Sequence, residues 1–264
     1  MEQIRVVVHG ALGRMGQEII NALCLEPDMK IVGAVELETN DDYLSLPDSF
    51  GQIPFSSDID EILDGCQTDV VADFSIAQAT MPAVRAAAKR GINLVIGTTG
   101  IKPDQLDEMG QLATTHEIGI VVAPNFALGA VLMVHLSKIA AKYMDYAEII
   151  EQHHHLKIDA PSGTAINTAK IMAEARGKPF SRPGQGEKNS SSRGEDIEGV
   201  SVHAVRLPGL MAHQEVIMGT SGQTLRIRHD TINRECYRPG VLLAIREVIK
   251  RQGLTLGLDT LLNL

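Results

Sequence analysis

Three histidines, a lysine, an aspartate and a serine–glycine–threonine turn crowd into residues 151–165, E-Q-H-H-H-L-K-I-D-A-P-S-G-T-A. A structural core has little use for that collection, because each buried polar group needs a partner of its own. A site that binds carboxylates and passes on a proton near neutral pH can use all of it, since imidazole changes charge in that range and an ammonium attracts anions. If 147–155 is extended, His153 and His155 share one face and His154 points the other way; Lys157 and Asp159 continue the 153/155 parity. One strand then aims all three imidazoles at a single ligand only where it ends or bulges. The D-A-P-S-G-T-A segment opens a helix predicted over 162–176, with Ser162 or a neighbour as its cap. The free N–H groups of Gly163 and Thr164 can cradle a carboxylate there. Ammonium, imidazolium and helix start together describe a receptor for a small diacid.

A zinc site is the competing reading of a histidine cluster. Tetrahedral zinc takes paired histidines on one face or distant Cys and carboxylate ligands, and Lys157 beside the cluster repels a cation, so no metal is assigned. A lone histidine is more often a satisfied structural residue. That reading covers His155, part of the case for His154, and His135, His203, His213 and His229, which receive no role.

A second constellation lies at the start of the chain. The strand-like run I-R-V-V-V (4–8) leads into H-G-A-L-G-R-M-G (9–16), and a helical pattern follows over 15–25. Aligned from its end on G-x-G-x-x-G, the turn supplies Ala11, Gly13 and Gly16, with Gly10 one place early. Glycines there permit a tight turn and close approach of the backbone to a pyrophosphate, which the helix dipole favours. An acidic residue comes 20 places after Gly16, at Glu36, with Glu38 next. Either can hold the adenosine ribose hydroxyls, which favours NADH; Arg14 on the glycine turn can meet a 2′-phosphate, which admits NADPH, or be a solvated first-turn residue. G-T-T-G (97–100) and A-P-N-F (123–126) close two further predicted strands, where small hydroxyl and amide side chains suit nicotinamide and ribose.

The elements that must position these residues change character part-way. Apolar runs at 31–35, 69–74, 93–98 and 118–123 alternate with helices at 81–90 and 102–115, the signature of a doubly wound parallel sheet. After a helix at 129–144 come the extended 147–155, the helix at 162–176, a long Gly-, Ser- and Pro-rich loop at 177–199, expected to be mobile, and strand-like runs at 200–206, 215–218 and 224–229. The last two are joined by T-S-G-Q, a hairpin turn. The expected fold is α/β: a Rossmann-type domain at 1–126, completed by 234–264, and an α+β substrate and oligomerisation domain at 127–233 with an open mixed or antiparallel sheet. The final helix, at 239–251, is expected to return to the first domain.

Composition narrows the partners. A net charge of −9 argues against nucleic acid, which wants a basic face, and the absence of Trp with only four Tyr and five Phe argues against base-stacking platforms. Cys24, Cys66 and Cys236 are odd in number and without C-x-x-C spacing, as expected of reduced thiols in the cytoplasm. The opening M-E-Q-I-R-V-V-V enters a strand at once, leaving no room for a signal peptide, and Pro124 and Asn125 interrupt the most apolar stretch, so no membrane span is expected.

Taken together, G-A-L-G-R-M-G (10–16), D-F-S (73–75), G-T-T-G, A-P-N-F, the 151–165 run, V-H-A-V-R-L-P-G-L (202–210), H-Q-E-V (213–216) and the terminal L-D-T-L-L-N-L resemble the dihydrodipicolinate reductase family over essentially the whole chain. The resemblance implies a Rossmann domain, a mixed α/β substrate domain and a homotetramer. It implies hydride delivery to the unsaturated ring of a small dicarboxylate, with His153 as general acid and Lys157 assisting. His154, Lys157, Gly163 and Thr164 would bind the substrate carboxylates. Gly13, Arg14, Met15, Glu36 or Glu38, Gly97, Thr99 and Asn125 would meet the dinucleotide; Gly10, Ala11, Gly16, Thr98, Ala123 and Phe126 line the same turns. One departure is Leu156, where several members carry His; no loss is expected, because the acid lies elsewhere. Two rival readings keep the first half only. One is another two-domain nicotinamide dehydrogenase of amino-acid metabolism; the other is a non-catalytic NAD-sensing protein. Neither needs H-H-x-x-K-x-D-A-P-S-G-T.

Overall fold

The computed structural model describes residues 3–39, 41–181 and 191–264. They divide into two units, one of residues up to Leu128 together with Arg234–Leu264, the other Gly129–Asn233.

The first unit alternates β1 (Ile4–His9), α1 (Arg14–Cys24), β2 (Met29–Val35), β3 (Tyr43–Ser45), β4 (Gln52–Ser56), α2 (Ile59–Gly65), β5 (Val70–Asp73), α3 (Ala77–Lys89), β6 (Asn93–Ile96), α4 (Pro103–Thr115) and β7 (Gly119–Val122). Its central strands are apolar on both faces: Val6, Val7, Val8, Val70, Val71, Leu94 and Val95 are all 0% exposed, as a sheet covered on two sides requires. β1, β2, β4, β5, β6 and β7 run parallel, and only the edge strand β3 is antiparallel. α1 turns Ile19, Ile20 and Leu23 inward.

After the second unit the chain re-enters this sheet. α7 (Arg238–Val248) is tied to α1 and the turn after it by ion pairs of Arg238 with Glu18 (2.5 Å) and of Arg246 with Glu26 (2.5 Å) and Asp28 (2.8 Å). The last strand, β13 (Gly253–Leu256), joins β7 in parallel and α8 (Leu258–Leu262) follows. The result is an eight-stranded sheet of order β13-β7-β6-β5-β1-β2-β4-β3.

The second unit contains α5 (Leu128–Ala141, its first residue in the first unit), β8 (Tyr146–His153), α6 (Gly163–Arg176), β9 (Glu195–Ile197), β10 (Val200–Arg206), β11 (Ala212–Thr220) and β12 (Gln223–Thr231). Its five strands run in the order β12-β11-β8-β10-β9. The sheet is mixed: β8 pairs antiparallel with β11 but parallel with β10. The Thr220–Gln223 turn joins β11 to β12 as expected. α6 covers one face, with Ala165, Ala169 and Met172 against Ile149, Val202, Val216 and Met218, all buried.

Two expectations need correction. The extended run does not reach His155: β8 stops at His153, and the Lys157 N–H bonds back to the His154 carbonyl at 3.1 Å. Both neighbours run out at that point, since β10 ends at Arg206 and β11 begins at Ala212, each the register partner of His153. The strand parity therefore says nothing about His154, His155, Lys157 or Asp159. The 177–199 stretch is also not one loop, because β9 lies within it; residues 182–190 of that stretch fall outside the described residues, and with them the expectation of mobility there.

Candidate active site

The C-terminal ends of β1, β5, β6 and β7 lie level, through the register pairs His9–Asp73, Asp73–Ile96 and Ile96–Val122. From that one edge leave the glycine turn, the Phe74–Ser75 turn, Gly97–Thr99 and Ala123–Phe126, which is where ligands bind in open α/β sheets. The N–H groups of Gly10 and Ala11 both bond to the Val35 carbonyl, drawing the turn onto the end of β2. A Cβ on Gly16 would lie 2.0 Å from the Gly10 carbonyl oxygen, a backbone clash that no rotamer relieves, so the helix meets the turn only with glycine here.

These residues fit a bound dinucleotide. Among the described residues no side chain caps α1 and no acidic residue occupies its first turn, so its N-terminal N–H groups remain for an anion. Thr98 is 7% exposed and its Oγ1 has no hydrogen-bond partner, an orphaned hydroxyl at the crevice edge. Glu36 is half-buried and its Oε2 accepts the Leu12 N–H at 2.8 Å, placing that carboxylate against the glycine turn, whereas Glu38 is exposed. Gly13, Arg14 and Thr99 are exposed, Met15 and Gly97 half-buried, and Ala11, Ala123 and Phe126 buried. Asn125 turns inward to accept the Ala127 N–H at 2.9 Å, an Asx turn leading into α5.

In the second unit the chemistry gathers at the end of β8. Glu151 and His153 share a face of the strand, and Glu151 Oε2 lies 2.6 Å from His153 Nδ1. Glu151 is 0% exposed, yet both its oxygens are occupied: Arg206 donates from Nη1 and Nη2 at 2.8 Å each, and the Ser162 N–H donates at 3.0 Å. Burial alone would raise this carboxyl; the hydrogen bonds from His153, Arg206 and Ser162 outweigh it and hold it down to about 2. Arg206 reaches further, donating to the carbonyls of Asp159 at 2.6 Å and Lys157 at 3.3 Å, so one guanidinium secures strand and turn together.

Ser162 caps α6, its Oγ accepting the Ala165 N–H at 3.2 Å, which leaves Gly163 and Thr164 exposed in the first turn. Lys157 is half-buried and its ammonium rests on Asp159 at 2.8 Å; Asp159 is held below the usual carboxylate range by that contact. His154 and His155 are exposed on the turn. Three other histidines have carboxylate partners, His9 with Asp73 at 3.0 Å, His203 with Glu148 at 3.0 Å and His213 with Asp230 at 2.7 Å. Among the described residues no group of three or more His, Cys, Asp or Glu side chains is arranged to hold a metal.

Comparison with known proteins decides between the readings. The family model "Dihydrodipicolinate reductase, N-terminus" matches residues 4–126, and "Dihydrodipicolinate reductase, C-terminus" matches residues 129–262. The chain belongs to the dihydrodipicolinate reductase family. The 4-hydroxy-tetrahydrodipicolinate reductase of Dehalococcoides mccartyi is 53% identical over the full length of both chains. That of Moorella thermoacetica is 48% identical over 98% of each. A dipicolinate-bound dihydrodipicolinate reductase from a Paenisporosarcina species superimposes with a TM-score of 0.88, at 35% identity, over 98% of this chain and 99% of that one. A Thermus thermophilus dehydrogenase solved with NAD, at 14% identity and a TM-score of 0.60 over 98% of this chain and 91% of that one, shares the fold.

Three residues with no role assigned from the sequence stand among the candidate residues in the structure: Glu151 and Arg206 in the second unit, and Phe74, against Phe126, in the first. Glu151 opens the histidine run, and its two-residue spacing from His153 was the available signal. Arg206 is 55 residues away from Glu151, and only the parallel pairing of β10 with β8 brings it there.

Proposed function

We propose that this chain is a 4-hydroxy-tetrahydrodipicolinate reductase, reducing dihydrodipicolinate or its hydroxylated form to tetrahydrodipicolinate with NADH or NADPH, in lysine and diaminopimelate biosynthesis. The observation that carries the reading is the end of β8. There an imidazole held through Nδ1 by a buried carboxylate adjoins a turn bearing an ammonium and a helix start with its first-turn N–H groups exposed. Its relatives of that name support the same reading.

The glycine turn, Glu36, Thr98, Thr99 and Asn125 hold the dinucleotide, which when bound supplies a hydride to the substrate ring. Lys157, His154 and the N–H groups of Gly163 and Thr164 take the two carboxylates, for which Asp159 is the resident stand-in on Lys157. His153 donates a proton to the neighbouring ring carbon, and the hydroxylated substrate loses water on the way. The protein works in the cytoplasm as a homotetramer. Cys24 and Cys66, free thiols in the structure, support the first, and the exposed apolar stripe Leu132, Leu136, Ile139 and Tyr143 along and just beyond α5 supports the second.

The deciding experiment follows the near-ultraviolet absorbance of NADH and NADPH, in parallel, with freshly generated dihydrodipicolinate. Rapid oxidation is expected. Binding of NADH without oxidation would overturn the reading in favour of an NAD sensor.

A further inference from the structure

We propose that Glu151, clamped by Arg206, is a positioning residue that keeps His153 protonated on Nδ1, so that the proton given to the substrate leaves from Nε2. The inference rests on His153 acting as the acid and says which nitrogen acts and what selects it.

Three of the four hydrogen bonds to Glu151, two from Arg206 and one from the Ser162 amide, come from groups that can only donate. Arg206 has no acceptor and cannot lose its charge, and the Ser162 amide can only donate. A protonated Glu151 would need an acceptor for its own hydrogen, and the groups facing it offer none except the His153 ring. Arg206 from β10 and Ser162 at the head of α6 surround the carboxylate; Gln214, its register partner on β11, turns its amide away to Thr168 at 2.9 Å. Glu151 is therefore an ionised acceptor, and a nitrogen 2.6 Å from it must carry a hydrogen. In the imidazolium both nitrogens are protonated, and Nε2–H is the one not engaged by Glu151. When its N–H bond breaks and a C–H bond forms on the ring carbon, the neutral product is the Nδ1–H tautomer, still bonded to Glu151. No tautomer exchange is needed between turnovers, and the ring keeps its orientation throughout.

Arg206 gives this arrangement a second use. It grips Glu151 with two N–H bonds while also holding the Asp159 and Lys157 carbonyls, so the carboxylate behind the acid and the turn carrying the ammonium share one anchor. Distance between acid and carboxylate receptor is thereby set by a single planar group.

Nitrogen-15 NMR of imidazole-labelled protein, with His153 assigned by loss of its signals in His153→Gln, reads the tautomer directly. Above the pH where the ring becomes neutral, the wild type should show Nδ1 protonated; a wild-type ring protonated on Nε2 overturns the proposal, whatever the variants do. Glu151→Gln keeps the shape, offers an amide donor and removes the carboxylate. It should shift the neutral ring toward Nε2–H and lower kcat about a hundredfold, the usual scale of a general acid, with KM for dihydrodipicolinate nearly unchanged. A Glu151→Gln enzyme with wild-type kcat, or one whose KM alone rises, overturns it. If that variant does not fold, the wild-type spectrum decides. Absence of turnover in the wild type would instead sink the proposed reaction, and the tautomer result would stand apart from it.

Discussion

The ring of Phe74 occupies the space a side chain on Gly97 would need: a Cβ there would lie 2.1 Å from Phe74 Cε1. Phe74 in turn meets Phe126 with ring centroids 5.5 Å apart, so three of the turns at the sheet edge are wedged against one another by a single ring. Gly97→Ala should force that ring out, destabilising the protein by about 1–3 kcal/mol as overpacking does. A lowered urea midpoint and weaker NADH binding would register it, and Phe74→Leu in the same chain should restore part of both.

Glu36 and Glu38 make different predictions although the sequence cannot separate them. Glu36 already faces the glycine turn through Leu12, and losing its charged contact should weaken NADH by about 1.5–3 kcal/mol in Glu36→Gln. Glu38→Gln should bind NADH as the wild type does. Fluorescence titration of both variants with NADH and NADPH checks the pair; equal losses would remove Glu36 from the ribose.

His153→Gln should abolish turnover and leave NADH binding nearly intact, because the glycine turn belongs to the other unit. Lys157→Ala should raise KM and lower kcat together, costing kcat/KM about tenfold to a hundredfold for a lost charge-assisted contact. Steady-state kinetics near normal in Lys157→Ala would remove it from the site.

Acid stability carries the signature of Glu151. Its carboxyl is held down to about 2 from an ordinary value of 4.5, so the unfolded chain takes up the proton first. The contribution is fully present above about pH 4.5 and is lost as the pH falls through about 2. Urea midpoints measured across that window should fall less steeply in Glu151→Gln than in the wild type, from a lower starting point at neutral pH.

Apolar runs buried on both faces, such as Val6–Val8, announce a parallel sheet without help, and so β1, β5, β6 and β7 stand where the sequence puts them. The stretch 36–68 was silent for a physical reason. β3 is three residues long, β4 carries Pro54, and α2 is seven residues, too little of each for a period to emerge. Strand direction was equally hidden in the second unit, because alternation reads the same in a parallel and an antiparallel strand, and β10 proved parallel to β8. Of the proposed site, one part is legible along the chain and one is not. His153, Lys157 and the α6 start are contiguous; the guanidinium of Arg206 arrives by tertiary pairing alone.

The return of the chain to its first sheet bears on the order in which the two units can fold. Residues 129–233 emerge from the ribosome as one uninterrupted stretch with their own core, whereas the first unit's sheet waits for β13 to cover β7 and for Arg238 and Arg246 to reach α1. The part that comes second along the chain is thus the first that can be finished, and until then the β7 edge stands open, a strand border that invites mispairing.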